Sequence, residues 1–174
     1  MPARLPWFER KWTFNLPADV YPDILERLYG TPPRLEEMIR GISAELLTRR
    51  EREGTWSIQE NIGHLIDLDE LHDARIGDFL AGAAVLRAAD LTNRRTHSAG
   101  YNDRPVQEIC AAFRRRRGEI VARLESLRPE DFARSSRHPR LDVPMRLVDM
   151  CIFAADHDDY HLARMRELLR MFTN

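Results

Sequence analysis

Near the end of the chain the run Asp156-His157-Asp158-Asp159-Tyr160-His161 interrupts an apolar pattern, Leu147, Cys151, Ala154, Met165, Leu168 and Phe172, that recurs at helical spacing. A helix with such a stripe must bury it against other helices. At 100° per residue Asp158 projects within about 20° of Leu147 and Met165, and His161 and His157 follow further round the same side. Any fold for this chain therefore has to find partners for two imidazoles and a carboxylate that face its core.

Three other segments carry the matching apolar faces. Thr31 reads as an N-cap with Pro32 at the first helical position, opening a helix to about residue 47 through Leu35, Met38, Ile39, Ile42 and Leu46. Ser57, with Glu60 three residues on, is a capping box that opens a second helix to about residue 81, and Trp56 stands at the staple position before it. Pro105 opens a third helix, with Ile109, Cys110, Phe113, Ile120 and Leu124 on one stripe and Arg117 in its middle, ended by Arg128-Pro129. The fourth runs from near Pro144 to about residue 172.

Residues 131–143, with His138, read as a polar loop, and His97 and His138 are expected to be exposed. No strand-like alternation of useful length is visible, so the class is all-α and the architecture a four-helix bundle. A helix of about 24 residues is about 36 Å long, and the connection over residues 82–104 can stretch past it at about 3.3 Å per residue. The second and third helices are thus free to run parallel.

At 174 residues one domain, 1–174, is expected. Residues 1–30 form an arm anchored by Trp7, Trp12 and Phe14, then a short helix stopped at Gly30. A net charge of -1 with charges of both signs interspersed gives no reason to expect nucleic acid. The basic run Arg114 to Arg117 reads mainly as a solvated helix face. Cys110 and Cys151, each among apolar neighbours, read as buried thiols of a reducing cytoplasm. No stretch approaches about 18 uninterrupted apolar residues, so no membrane span is expected.

His157 and His161, four apart, emerge from one helix face and can reach one metal ion together. A third imidazole can come from His64, at the edge of the second helix's apolar face, or from His72 nearer its middle. Asp158 follows His157 as glutamate follows the first histidine of H-E-x-x-H, so it is a candidate general base. Equally it is a carboxylate supporting the ligands or pairing with a cation. Arg117 is a candidate partner for it, a candidate anchor for an anionic substrate group, or a side chain that snorkels out of the core.

Gly54 to Asp67 (Gly-Thr-Trp-Ser-Ile-Gln-Glu-Asn-Ile-Gly-His-Leu-Ile-Asp) followed much later by His157 to Arg164 (His-Asp-Asp-Tyr-His-Leu-Ala-Arg) resembles the DinB-like (damage-inducible, YfiT-type) superfamily of small bacterial metalloproteins. The likeness spans about residues 31–171. It implies an up-down-down-up bundle and three histidine ligands, which fall on His64, His157 and His161. It also implies a divalent transition metal (nickel, zinc or iron), frequent homodimers, and, in some relatives, S-transfer or isomerisation with a low-molecular-weight thiol such as bacillithiol or mycothiol. The expected function is a metal-dependent transferase or hydrolase activating a thiol or water against a small electrophilic substrate; the alternative is a non-catalytic metal-binding or stress-response protein.

Overall fold

The computed structural model describes residues 4–173. The first three residues of the expected N-terminal arm, and Asn174, lie outside the described residues. Helices α1 (Tyr21–Tyr29) and α2 (Thr31–Ile39) follow end to end, because Gly30 keeps a helical backbone at φ -73° and ψ -11°. A Cβ there would lie 3.1 Å from the Glu26 carbonyl oxygen. Gly30 therefore does not turn the chain, and Thr31 is the first residue of α2 rather than its cap.

The first long helix expected to reach residue 47 ends at Ile39, since Gly41 at φ +73° turns the chain out of the helix and Ser43 caps a separate short helix, α3 (Ala44–Thr48). Next comes α4 (Ile58–Leu80), opened by the capping box: Ser57 Oγ accepts from Glu60 N–H at 3.1 Å, and Glu60 Oε2 accepts from Ser57 N–H at 2.8 Å. The connection after it holds the one-turn helix α5 (Arg94–Ser98) and leads into α6 (Val106–Glu125).

A hairpin of β1 (Ser135–His138) and β2 (Val143–Arg146) stands where a polar loop was expected. Its inward positions on β1 are Ser136 and His138, so the alternation is real but carries no apolar signal. His138 is buried rather than exposed: its Nδ1 accepts the N–H groups of Arg140 and Leu141, which closes the hairpin turn. The last helix, α7 (Leu147–Thr173), starts only after β2.

Side-chain pairings fix the helix directions. Ser57 and Gln59, at the start of α4, bond Asn102, Tyr101 and Arg104 just before α6; further along, Asp69 meets Arg117 and Asp73 meets Arg123. Position increases together on the two helices, so α4 and α6 are parallel. By contrast His64 meets His157 and Asn61 meets His161, so α7 is antiparallel to α4. With Leu28 against Arg117 and Glu36 against Arg114, the α1–α2 rod opposes α6. The bundle is up-down-down-up.

The four rods share one buried ionic hub. Arg117 of α6 is 2 % exposed and has an acceptor for each of its five N–H groups. Its Nε and Nη2 bond Asp69 of α4, its Nη2 and Nη1 bond Asp158 of α7, and its Nη1 bonds the Leu28 carbonyl of α1. Thr31 of α2 donates to Asp158 Oδ2 at 2.8 Å. Arg114 and Arg116 do lie outward, paired with Glu36, Asp73 and Glu119, as expected of a solvated face; Arg117 does not.

Two outcomes are expected from this packing. A Cβ on Gly63 would fall 2.2 Å from the Tyr101 ring, which lies flat on α4 there. Gly63→Ala should therefore destabilise the protein by about 1–3 kcal/mol in denaturant unfolding, despite the better helix propensity of alanine. The second concerns acid. Burial alone pushes the Asp69 carboxyl up, but Arg117, helped by His72, holds it below the usual carboxylate range. A carboxyl whose folded value is depressed stabilises above its unfolded value of about 4 and loses that contribution as pH falls below it. Asp69→Asn should be less stable than the native chain at pH 7 and show a shallower decline in melting temperature below about pH 4; parallel curves would show that Asp69 does not titrate in the fold.

Candidate functional site

His64 on α4 and His157 and His161 on α7 come together with one ring nitrogen from each inside a common 4.8 Å, all three buried. Ring centroids lie 4.4 Å apart for His157 and His161, 4.9 Å for His64 and His161, and 5.4 Å for His64 and His157. The i, i+4 spacing on α7 supplies two rings, and the antiparallel crossing with α4 supplies the third.

Neighbouring groups decide which nitrogen is free on two of the three rings. Asn61 donates through Nδ2 to the Ser57 carbonyl at 2.6 Å, so its Oδ1 must be the acceptor 2.8 Å from His161 Nδ1. His161 thus carries its proton on Nδ1 and keeps a lone pair on Nε2. At His64 the Thr96 hydroxyl gives its proton to Asp67 Oδ2 at 2.7 Å and accepts from Nδ1 at 3.2 Å. Asp67 is held in turn by Tyr101 Oη at 2.8 Å and Arg95 Nε at 2.9 Å. The Tyr101 ring rests on Gly63, so the glycine one residue before His64 seats the group that anchors its orientation.

These residues fit a metal ion. His157 Nε2 stands 3.2 Å from the Nε2 lone pair of His161, close to the edge of about 3.3 Å that a tetrahedral ion with bonds of about 2.0–2.1 Å spans. His157 Nδ1 has no hydrogen-bond partner among the described residues. Burial, reinforced by His72 and His97, lowers His64 to about 3, and burial together with the facing imidazoles lowers His157 and His161 well below the usual histidine range. All three are therefore neutral at pH 7, the form in which imidazole ligates.

The cluster opens onto a cavity of about 440 Å³. Trp56, half-buried, forms one wall, with its ring 4.5 Å from His64 and 6.2 Å from His161. The opposite wall comes from the N-terminal arm, where Trp7 packs edge-on against His157 at 4.8 Å and against Phe153 at 5.0 Å. Trp7 and Trp12 are anchors as expected, and Trp7 also shapes the site.

Asp158 and Arg117 do not face this cavity. Both oxygens of Asp158 are held by Arg117 and Thr31, so of its alternative roles the geometry gives it the ion pair, not that of a base. Arg117 has no N–H left for a substrate and does not snorkel, because all its donors are spent inside the bundle. His72 lines the cavity but stands outside the three-histidine cluster, with Nδ1 3.8 Å from Asp69. Burial pushes Cys110 up to about 11 and Cys151 up to about 12, so neither is a thiolate nucleophile. Asn61, three residues before His64 on the same helix, was readable as a ligand-orienting residue; Thr96, from the long connection, carried no such signal.

Parallel second and third helices with a buried three-imidazole cluster between the second and fourth define a class of four-helix bundle built around an internal histidine site. The chain belongs to the DinB superfamily, whose family profile matches residues 27–165. It is similar to the uncharacterized protein YuaE of Bacillus subtilis (strain 168), 24% identical over 144 residues, covering 75% of this chain and 87% of that one. Among solved structures it is similar to YfiT from Bacillus subtilis, described as a probable metal-dependent hydrolase with an unusual four-helix bundle topology. That likeness has a TM-score of 0.81 at 19% identity, over 95% of this chain and 94% of that one. A protein from Streptococcus pneumoniae shares the fold at a TM-score of 0.65 and 15% identity, over 93% and 92% of the chains.

Groups that hold a ligand's second nitrogen typically change metal affinity about 10- to 100-fold when removed. Thr96→Val and Asn61→Leu should each weaken zinc binding by about that factor in competition with a chromophoric chelator, while leaving three imidazoles in place. Unchanged affinity in both variants would show that the hydrogen bonds do not orient the ligands.

Proposed function

We propose that the protein is a metal-dependent enzyme of the hydrolase or thiol-dependent S-transferase type, acting on a small electrophilic substrate. The observation that carries this reading is a cluster of three neutral histidines, with no fourth His, Cys, Asp or Glu in it among the described residues, opening onto a cavity large enough for a small molecule. His64, His157 and His161 would hold the ion, and three imidazoles suit zinc, nickel or iron. A divalent ion there supplies positive charge that lowers the pKa of a water or thiol and polarises an electrophile.

The chain's own residues do the rest. Asn61 and Thr96 keep the proton on Nδ1 of His161 and His64, so the Nε2 lone pairs face the cavity. Trp7 and Trp56 wall off solvent beside those nitrogens, which strengthens electrostatic interactions inside. The description of YfiT as a probable metal-dependent hydrolase supports the hydrolase form, and the resemblance to thiol-using relatives supports the transferase form. A homodimer and a low-molecular-weight thiol cosubstrate belong to the same proposal and rest on that resemblance alone; a cytoplasmic location belongs to it too and is supported by the two buried free thiols. Among the described residues no helix is long and apolar enough to cross a membrane.

The test combines metal analysis with folding. His161→Ala should lose stoichiometric metal, since two imidazoles hold an ion far less tightly than three. The native chain stripped by a chelator should stay folded with a modest drop in melting temperature, because its apolar core does not need the ion. Hydrolysis or thiol transfer with model electrophiles should disappear on stripping and return with metal. Retention of stoichiometric metal by His161→Ala, or unfolding of the native chain on stripping, would replace the enzyme with a structural metal site.

A further inference from the structure

The cavity has a second polar end that the histidine cluster does not use. His64, Leu68, Leu71, His72 and Arg75 line it along one stripe of α4, and eleven residues at 1.5 Å per residue set Arg75 about 16 Å from His64. Along the opposite wall the rings of His157, Trp7, Phe153 and His138 follow one another at 4.8, 5.0 and 5.6 Å. Both walls lead to Arg75, His138 and Arg140.

Two guanidinium groups there lack a counter-ion. Arg75 is 3 % exposed and bonds only the Arg87 carbonyl, at 2.9 and 3.0 Å. His138 Nε2 stands 3.4 Å from Arg75 Nη1 but carries the ring proton, since its Nδ1 accepts two N–H groups, so it accepts nothing from the arginine. That leaves N–H groups of Arg75 unspent. Arg140 has a buried Nη2 without a hydrogen-bond partner and rests on the Phe8 and Phe153 rings at 5.1 and 5.9 Å. Among the described residues no carboxylate lies within ion-pair distance of either arginine, although this chain pairs most of its others. Asp78 is committed to Arg87, and Asp90, which also lines the cavity, spends its oxygens on Thr92 and the Arg94 N–H.

Burying unpaired cations is costly, and the cost is visible in their protonation. Desolvation lowers Arg75 to about 10 even against the nearby charge of Asp78, and lowers Arg140; burial, reinforced by Arg75 and Arg140, holds His138 down at about 4, so His138 stays neutral beside them. Two desolvated forks with free donors are suited to a planar or tetrahedral anion. Between them and the histidine cluster the walls are mainly apolar, Leu68, Leu71, Leu91, Trp7 and Phe153, with His72 among them.

We propose that Arg75 and Arg140, with His138 as a neutral neighbour, form an anion subsite, and that the ligand is a small molecule with an apolar or aromatic body and a carboxylate at the end away from the histidines. As a statement about the substrate it rests on the enzyme reading above, since it assigns the reacting end to the histidine cluster and the binding end to the arginines. Arg117, the arginine the sequence offered for this role, is locked in the hub.

Titration calorimetry with 4-phenylbutanoate and its neutral amide tests the subsite on metal-stripped protein, where no ion can attract the carboxylate. The native chain should bind the carboxylate at least about tenfold more tightly than the amide. Arg140→Gln, in the half-buried hairpin turn and outside the helical core, should erase that preference, with Arg140→Lys restoring part of it. Arg75→Gln should do the same if circular dichroism shows it folded. Equal binding of acid and amide, an undiminished preference in Arg140→Gln, or no binding of either would overturn the proposal. So would carboxylate binding that appears only after zinc is added and vanishes in His161→Ala, which would put the anion on the metal. Failure of the native chain to take up zinc, nickel or iron would sink the enzyme reading while leaving the anion measurement intact.

Discussion

The bundle is tied together at Arg117. One guanidinium, withdrawn from water, meets a carboxylate of α4, a carboxylate of α7 and a carbonyl of α1, and α2 joins through Thr31. Desolvating such a group costs several kcal/mol, and only complete pairing offsets it. Completeness is what the structure has: five donors, five acceptors. A slide or rotation of any one helix would leave a buried charge unpaired, so the hub selects one register among the many that apolar stripes alone would accept.

That register is what makes the site. Asp158 is locked by the hub, and its neighbours His157 and His161 are thereby set at a fixed rotation of α7. On the facing helix a short segment does many things at once. Ser57 and Glu60 start α4, Gln59 binds the carbonyls of Tyr101 and Arg104, Asn61 turns His161, Gly63 seats Tyr101, and Asp67 holds Thr96 against His64. The residues of the Gly54 to Asp67 stretch are thus spaced by the needs of a helix start, a crossover connection and a ligand, all on one helix. The parallel course of α4 and α6 follows from the same bonds, since the connection must return to the top of α4 before α6 begins.

The cavity combines two environments that normally exclude each other. At one end, burial keeps three imidazoles neutral; at the other, two arginines remain without carboxylates; apolar and aromatic side chains separate them. The N-terminal arm matters to this arrangement because Trp7 belongs to it and contacts His157 and Phe153 directly. Sequence resemblance gave the arm no role, yet its packing closes one side of the site.

Helical spacing alone determined that this chain makes an all-α bundle, because apolar stripes at 3.6-residue spacing can be buried only against one another. It also determined that His157 and His161 share a face, a matter of local geometry, and the Ser57–Glu60 cap likewise needs only four consecutive residues. Where it misled, the deciding contact was distant or the local signal was weak. Gly30 stays helical, Gly41 turns the chain, and a hairpin whose first strand is entirely polar buries His138 with no apolar alternation on that strand. Whether His64 or His72 completed the cluster, and whether Asp158 and Arg117 served chemistry or packing, depended on the rotation of α4 and α7 about their axes. Only the tertiary structure sets that rotation, because it results from satisfying every donor of one buried arginine across four helices at once.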